Sequence, residues 1–77
     1  MQATVEIIKE AILEAEVLNN VDDLVNDISL SKQGCDSLDL VNVYMILEEK
    51  FGIKIPDEDL DQLLTINGII EYLNARI

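Results

Sequence analysis

The sequence has 77 residues, enough for one small domain with a limited core, so a large internal catalytic cleft is not expected. Its 16 acidic and 5 basic residues give a formal net charge of -11, which repels nucleic acid and anionic membrane surfaces and predicts partners with basic patches. It contains no histidine, which excludes Ser-His and Cys-His catalysis within the chain and disfavours an ordinary zinc site.

The first predicted element is an amphipathic helix over residues 4 to 18. Apolar side chains recur there at spacings of three and four, and most charged residues fall on other faces. The apolar positions are Val5, Ile8, Ile12 and Ala15.

A long loop is predicted next, over residues 19 to 36. Asn19 and Asn20 offer a stop to the first helix, and the segment then mixes Asp, Asn, Ser and Gly with apolar residues. We expect the apolar residues of the loop to pack against the core. The loop is long enough to contain one helical turn. A loop of this length in a small domain is usually functional.

The second helix is predicted from Ser37 to Phe51. Asp36 is a suitable N-cap, and Asp39 in the first turn lies near the positive end of the helix dipole. Gly52 ends the helix.

Two further helices complete the predicted fold. After Pro56, three acidic residues open a short helical turn that runs to about Leu64, and Thr65 caps the last helix. That last helix carries one apolar stripe, which consists of Ile66, Ile69, Ile70, Leu73 and Ile77. The prediction is an all-α protein, a four-helix bundle with a short third helix and a long loop between helices 1 and 2, formed by one domain over residues 1–77.

The second helix carries two apolar faces on a helical wheel. The broad core face consists of Leu40, Val43, Tyr44, Leu47 and Phe51. A second stripe consists of Leu38, Val41 and Met45, edged by Asn42, Glu48 and Glu49. An apolar stripe with a carboxylate rim has the composition of a docking surface. The alternative is that the long loop buries the stripe.

A motif at the start of the second helix resembles the phosphopantetheine attachment motif of acyl carrier proteins, in which Gly-x-Asp-Ser-Leu precedes that helix. Here it reads Gly34-Cys35-Asp36-Ser37-Leu38. Downstream residues also match the family: Val41, Met45, Glu48, Glu49, Phe51, Ile55-Pro56-Asp57 and Thr65-Ile66. The resemblance is close over residues 34 to 77, while residues 1 to 33 agree only in being a helix followed by a loop.

The resemblance implies that Ser37 receives a 4'-phosphopantetheine arm from coenzyme A. A serine at the start of a helix lies beside unpaired backbone N–H groups, an environment that suits a phosphodiester. The chain has no histidine to activate the hydroxyl, and the resemblance implies that a separate phosphopantetheinyl transferase supplies catalysis. The protein would then be a non-catalytic carrier that shuttles acyl thioesters between enzymes of fatty acid, polyketide or related lipid biosynthesis. The alternative for Ser37 is a helix-capping role alone.

The resemblance also implies roles for other residues. Asp36, Leu38 and Asp39 would form the attachment site and engage the transferase. The docking surface for basic patches of acyl synthases and transferases would consist of Leu38, Val41, Asn42, Met45, Glu48 and Glu49. An acyl pocket between the helices would be lined by Val43, Ile46, Leu47, Leu63 and Ile66.

Two positions depart from carriers of fatty acid synthesis. The residues before Gly34 are Ser31-Lys32-Gln33 instead of an acidic residue and a Leu, and Asn42 stands where Glu is common. Both changes reduce acidity where partners bind, which favours a specialised carrier. Cys35 takes the place of a small apolar residue and is interpreted as a packing residue, with a redox or acyl-accepting role as the alternative.

The sequence has features of two other functional classes. Asp57, Asp59 and Asp61 alternate like the start of an EF-hand loop, but Gln62 stands where its glycine belongs, so no metal site is predicted. A small acidic adaptor that binds proteins without a prosthetic group is the alternative to a carrier.

Location and assembly complete the expectations. The apolar runs are short, the N-terminus lacks the features of a signal peptide, and a lone cysteine cannot form an intramolecular disulfide. We expect a cytoplasmic monomer.

Overall fold

The computed structural model describes residues 2–77, which form three α-helices and two short 3₁₀ helices. The α-helices are α1 (Val5–Glu14), α2 (Ser37–Phe51) and α3 (Ile66–Asn74), and the 3₁₀ helices span Leu30–Gln33 and Asp57–Gln62. No strand occurs among these residues. The prediction of an all-α protein is confirmed.

Helix α1 is shorter than predicted. It begins after Thr4, whose hydroxyl accepts a hydrogen bond from a first-turn N–H, and it ends at Glu14 instead of residue 18. Glu16 has a φ of 59°. This left-handed conformation costs a non-glycine residue about 1–2 kcal/mol. The turn lets Leu18 pack against the core, which offsets that cost and ends the helix early.

The segment between α1 and α2 is fixed by contacts with the C-terminal part of the chain. The N–H of Leu30 donates to the carbonyl oxygen of Leu64 at 2.8 Å. The N–H of Asn67 donates to the carbonyl oxygen of Asn26 at 3.0 Å. The 3₁₀ helix at Leu30–Gln33 is the helical turn that the sequence left room for.

The two C-terminal elements are also shorter than predicted. The turn after Pro56 is a 3₁₀ helix that ends at Gln62. The carbonyls of the next two residues, Leu63 and Leu64, accept hydrogen bonds from the hydroxyl of Tyr44 and the N–H of Leu30. Helix α3 has the predicted Thr65 cap but ends at Asn74. Ile77 lies beyond the end of the helix and is exposed, so its assignment to the apolar stripe of the last helix was wrong.

The core forms where α1 packs against both α2 and α3. The predicted core face of α2 is buried at four of its five positions, and Phe51 is half-buried against the core. The largest fully buried side chains come from every part of the chain: Ile8, Ile12, Leu30, Leu47, Leu63, Ile66, Ile69 and Leu73. This packing sets the orientation of α2 and leaves its other face to solvent.

Candidate functional site

Ser37 is the first residue of α2 and is exposed. Its two acidic neighbours form a reciprocal capping box. The Asp36 carboxylate accepts a hydrogen bond from the N–H of Asp39 at 2.9 Å, and the Asp39 carboxylate accepts one from the N–H of Asp36 at 3.1 Å. The predicted N-cap and the predicted helix bounds are confirmed. The box fixes the backbone on both sides of the serine.

The environment of Ser37 fits a covalently attached phosphodiester. Helix geometry leaves the N–H groups of Ser37 and Leu38 without an intrahelical acceptor, and they lie at the positive end of the dipole. The carboxylates of Asp36 and Asp39 oppose a free anion here. A phosphodiester bonded covalently to Ser37 does not depend on electrostatic attraction to stay in place. Both carboxylates already accept hydrogen bonds from backbone N–H groups.

The side chain of Cys35 is 1% exposed and anchors the turn before Ser37 in the core. Gly34 precedes it with a φ of 108°, and a β-carbon at that position would lie 3.3 Å from the Cδ2 atom of Leu18. Burial, and then the nearby carboxylates of Asp39 and Asp36, raise the pKa of the Cys35 thiol. A buried, protonated thiol agrees with the packing interpretation.

The second apolar stripe of α2 is exposed. Leu38 is 75% exposed, Met45 58% and Val41 43%. The alternative that the loop buries this stripe is wrong. Asn42 and Glu49 are exposed beside it, and Glu48 is half-buried.

A groove of about 170 Å³ runs between this stripe and the second 3₁₀ helix. Its lining combines apolar side chains with two carboxylates: Val41, Tyr44, Met45, Glu48, Ile55, Asp57 and Leu60. Ile55, Asp57 and Leu60 were not predicted as surface partners of α2, although Asp57 and Leu60 were placed in the short helical turn that follows Pro56.

Two side chains of α2 hold the far wall of the groove. The Glu48 carboxylate accepts a hydrogen bond from the N–H of Ile55 at 2.7 Å, and the buried Tyr44 hydroxyl donates to the carbonyl oxygen of Leu63 at 2.7 Å. Glu48, predicted only as a docking residue, therefore also has a structural role. The sequence offered no signal for either bond, because both partners are backbone groups distant along the chain.

The predicted acyl-pocket residues lie together in the core. Four of them, Val43, Leu47, Leu63 and Ile66, are 0% exposed, and Ile46 is half-buried. None of the five borders the groove described above.

One of the alternating acidic residues after Pro56, Asp59, takes part in a polar cluster. The Asp59 carboxylate accepts a hydrogen bond from the Tyr72 hydroxyl at 2.6 Å and forms an ion pair with Arg76 at 3.6 Å. The Arg76 guanidinium also lies 3.6 Å from the centre of the Tyr72 ring. These contacts hold the second 3₁₀ helix to the end of α3.

Two structural features of residues 2–77 bear on other functions. Over that range no group of three or more His, Cys, Asp or Glu is arranged to hold a metal ion, and none of the helices is long and apolar enough to cross a membrane.

Comparison with known proteins places this geometry in context. The family model for the phosphopantetheine attachment site matches residues 6–73. The fold is similar to the solution structure of a protein from Anaplasma phagocytophilum described as an acyl carrier protein, with a TM-score of 0.79 and 32% sequence identity. That match covers 94% of this chain and 85% of the other.

Proposed function

We propose that this chain, which belongs to the phosphopantetheine-attachment family of acyl carrier proteins, carries acyl groups as thioesters on an arm attached to Ser37. Members of the family are non-catalytic carriers with phosphopantetheine as the prosthetic group. The observation that carries the choice of residue is that the exposed hydroxyl begins α2 inside a capping box.

Loading is a phosphoryl-group transfer. The Ser37 oxygen forms a bond to the β-phosphorus of coenzyme A, the pyrophosphate P–O bond breaks, and adenosine 3',5'-bisphosphate leaves. The hydroxyl proton passes to a base on the phosphopantetheinyl transferase, because this chain has no histidine and the carboxylates nearest Ser37, those of Asp36 and Asp39, already accept backbone N–H groups. The acyl group is then carried on the terminal thiol of the arm.

The exposed stripe of α2 is proposed as the docking surface for acyl synthases and transferases. Its apolar centre, Leu38, Val41 and Met45, is exposed, and Asn42, Glu48 and Glu49 lie beside it. Exposed charge pairs mainly raise the association rate and orient the encounter, so binding is weak and exchange is fast, as a shuttle requires.

The finer assignments are proposals that rest on the family. We infer a cytoplasmic, monomeric carrier in fatty acid, polyketide or related lipid biosynthesis, with no nucleic acid or membrane partner, and a charge of -11 supports the last point. The packing of α1 on both α2 and α3 supports a bundle arrangement with a long loop between its first two helices. The buried Val43, Ile46, Leu47, Leu63 and Ile66 are proposed to open for the acyl chain.

Intact mass spectrometry tests the proposal. The purified apo protein is incubated with coenzyme A, Mg²⁺ and a promiscuous phosphopantetheinyl transferase. We expect the mass to increase by one arm, located on Ser37 by fragmentation, and the Ser37→Ala variant to gain nothing.

The Ser31→Ala variant is the matched control, since Ser31 is also an exposed serine of the same region. It should load like the original protein. If the original protein gained no arm, the carrier function would be rejected in favour of an adaptor without a prosthetic group.

A further inference from the structure

A second exposed apolar patch lies outside α2. It consists of Val25, Ile28 and Leu64, which are 44%, 42% and 46% exposed. The segments that carry them are joined by the backbone hydrogen bonds between Leu30 and Leu64 and between Asn67 and Asn26. We refer to these three residues as the loop patch.

The Gln33 side chain fixes the loop part of this patch. Its Oε1 atom accepts from the N–H of Val25 at 2.7 Å, and its Nε2 atom donates to the carbonyls of Val25 at 3.0 Å and Ile28 at 2.9 Å. Three hydrogen bonds from one side chain give the loop a defined shape, which reduces the entropy lost when a partner binds. Gln33 stands where the motif departs from fatty acid carriers, and the structure gives it this positioning role.

The surroundings of the loop patch are acidic. Asp22, Asp23 and Asp27 are exposed beside Val25 and Ile28, and residues 10 to 31 contain no lysine or arginine. An apolar centre with a rim of one charge sign fits a partner surface that has an apolar centre and a basic rim.

Gln33, which is hydrogen-bonded to Val25 and Ile28, lies close to Ser37 along the chain. Gln33 is four residues before Ser37, a stretch of at most about 14 Å. A standard interface covers about 800 Å² on each partner, a disc of roughly 16 Å radius. The whole chain exposes 4708 Å² and measures 27 × 24 × 21 Å. The transferase must bring its active site to the Ser37 hydroxyl itself, so its contact surface extends beyond α2 onto the segment around Gln33.

We propose that the loop patch is a second contact surface for the phosphopantetheinyl transferase that loads Ser37, and that Gln33 positions it. The proposal rests on the function inferred above. The α2 stripe would contact the enzyme on one side of Ser37, and Val25 and Ile28 would contact an apolar, basic-rimmed surface on the other.

Loading kinetics with a promiscuous phosphopantetheinyl transferase test this. The double variant Val25→Ser/Ile28→Ser should raise the KM for the apo protein about tenfold, which corresponds to about 1.4 kcal/mol of lost binding. The kcat should stay within about twofold, because the chemistry at Ser37 is untouched. Leu13→Ser on α1 is the matched control: Leu13 is 43% exposed, and its substitution should leave the KM unchanged.

Gln33→Met removes the three hydrogen bonds at similar side-chain length. It should raise the KM without lowering the kcat, whereas damage confined to the fold would lower the melting temperature and leave the KM unchanged. Replacing Asp22, Asp23 and Asp27 together by Asn should make the KM less sensitive to salt.

The outcomes separate this inference from the function on which it rests. If the original protein is not loaded at all, the carrier function fails. If it is loaded, and the double variant has the same KM as Leu13→Ser, the loop patch is not a transferase contact and the inference is overturned.

Discussion

Asp36 and Asp39 exchange hydrogen bonds across the first turn of α2, each carboxylate accepting from the backbone N–H of the other, at 2.9 and 3.1 Å. Ser37 lies between them. The arrangement gives these two residues a role in folding that is distinct from the role in transferase recognition proposed for them, and substitutions can separate the two roles.

We expect Asp36→Ala to lower the free energy of unfolding by about 0.5–2 kcal/mol, because it removes the N-cap of α2. Asp36→Asn keeps a side-chain oxygen for the cap but loses the charge, so its stability should change by a few tenths of a kcal/mol. Urea unfolding measures both. If the charge guides the transferase, Asp36→Asn slows loading of Ser37 at nearly unchanged stability; equal loading would assign Asp36 to capping alone.

We expect Tyr44→Phe to cost about 1–3 kcal/mol of stability, because it leaves the buried carbonyl of Leu63 without its 2.7 Å donor. Tyr72→Phe is the control. It also loses a hydrogen bond, to Asp59, but in a partly buried place where water can replace the hydroxyl. A loss for Tyr44→Phe no larger than that for Tyr72→Phe would contradict the prediction.

Tyr44 also predicts how stability depends on alkaline pH. Burial, followed by the nearby Cys35, raises the pKa of its hydroxyl from 10.0 to about 12. As pH rises, the unfolded chain therefore releases this proton before the folded protein does. The stabilising contribution of Tyr44 is complete below the unfolded pKa of 10.0 and is lost as pH rises to the folded pKa of about 12. The urea unfolding energy of the original protein should fall more steeply over this range than that of Tyr44→Phe. Parallel pH profiles would show that Tyr44 is not responsible.

Gly68 is expected to tolerate no β-carbon. An alanine there would place its β-carbon 2.8 Å from the Gln62 carbonyl oxygen and 3.1 Å from the capping hydroxyl of Thr65. Overpacking against backbone costs about 1–3 kcal/mol, which exceeds the gain of about 1 kcal/mol in helix propensity. Thermal unfolding of Gly68→Ala should show a lower melting temperature. Asn67→Ala, an exposed substitution in the same turn, should change stability by no more than about 0.5 kcal/mol.

The Cys35 thiol is expected to react slowly with alkylating agents, because it is 1% exposed and its pKa is raised. Iodoacetamide labelling near neutral pH, followed by intact mass, should be slow in the native apo protein and become fast in urea. Fast labelling of the native protein would instead revive a redox or acyl-accepting role for this residue.

Salt should stabilise this protein. The net charge is -11 on a body of 27 × 24 × 21 Å, and the screening length falls from about 30 Å at 0.01 M salt to about 8 Å at 0.15 M. At low salt, carboxylates across the whole molecule therefore repel one another. The two ion pairs found among residues 2–77, Glu14–Lys50 and Asp59–Arg76, are partly exposed and lose little on screening. A melting temperature that does not rise between these salt concentrations would contradict the prediction.

Local chemistry was enough to predict α2 and its two ends from the sequence. Asp36 accepts the first-turn N–H that an N-cap should accept, and Gly52 has a φ of 65° that glycine adopts without steric cost. The motif around Ser37 and the two faces of α2 depend on neighbouring residues and on the period of the helix, so both could be identified from the sequence.

The tertiary structure decided the features that depend on distant partners. Helix α1 ends at Glu14 because the chain must turn for Leu18 to reach the core, and no residue signals that turn in the sequence. The position of the groove wall depends on Glu48 and Tyr44 binding backbone groups 7 and 19 residues away. The shape of the loop beside Ser37 depends on Gln33 reaching back to the carbonyls of Val25 and Ile28. Such bonds form only after helix packing has brought the segments together, so sequence alone determined the attachment motif while packing determined the surface around it.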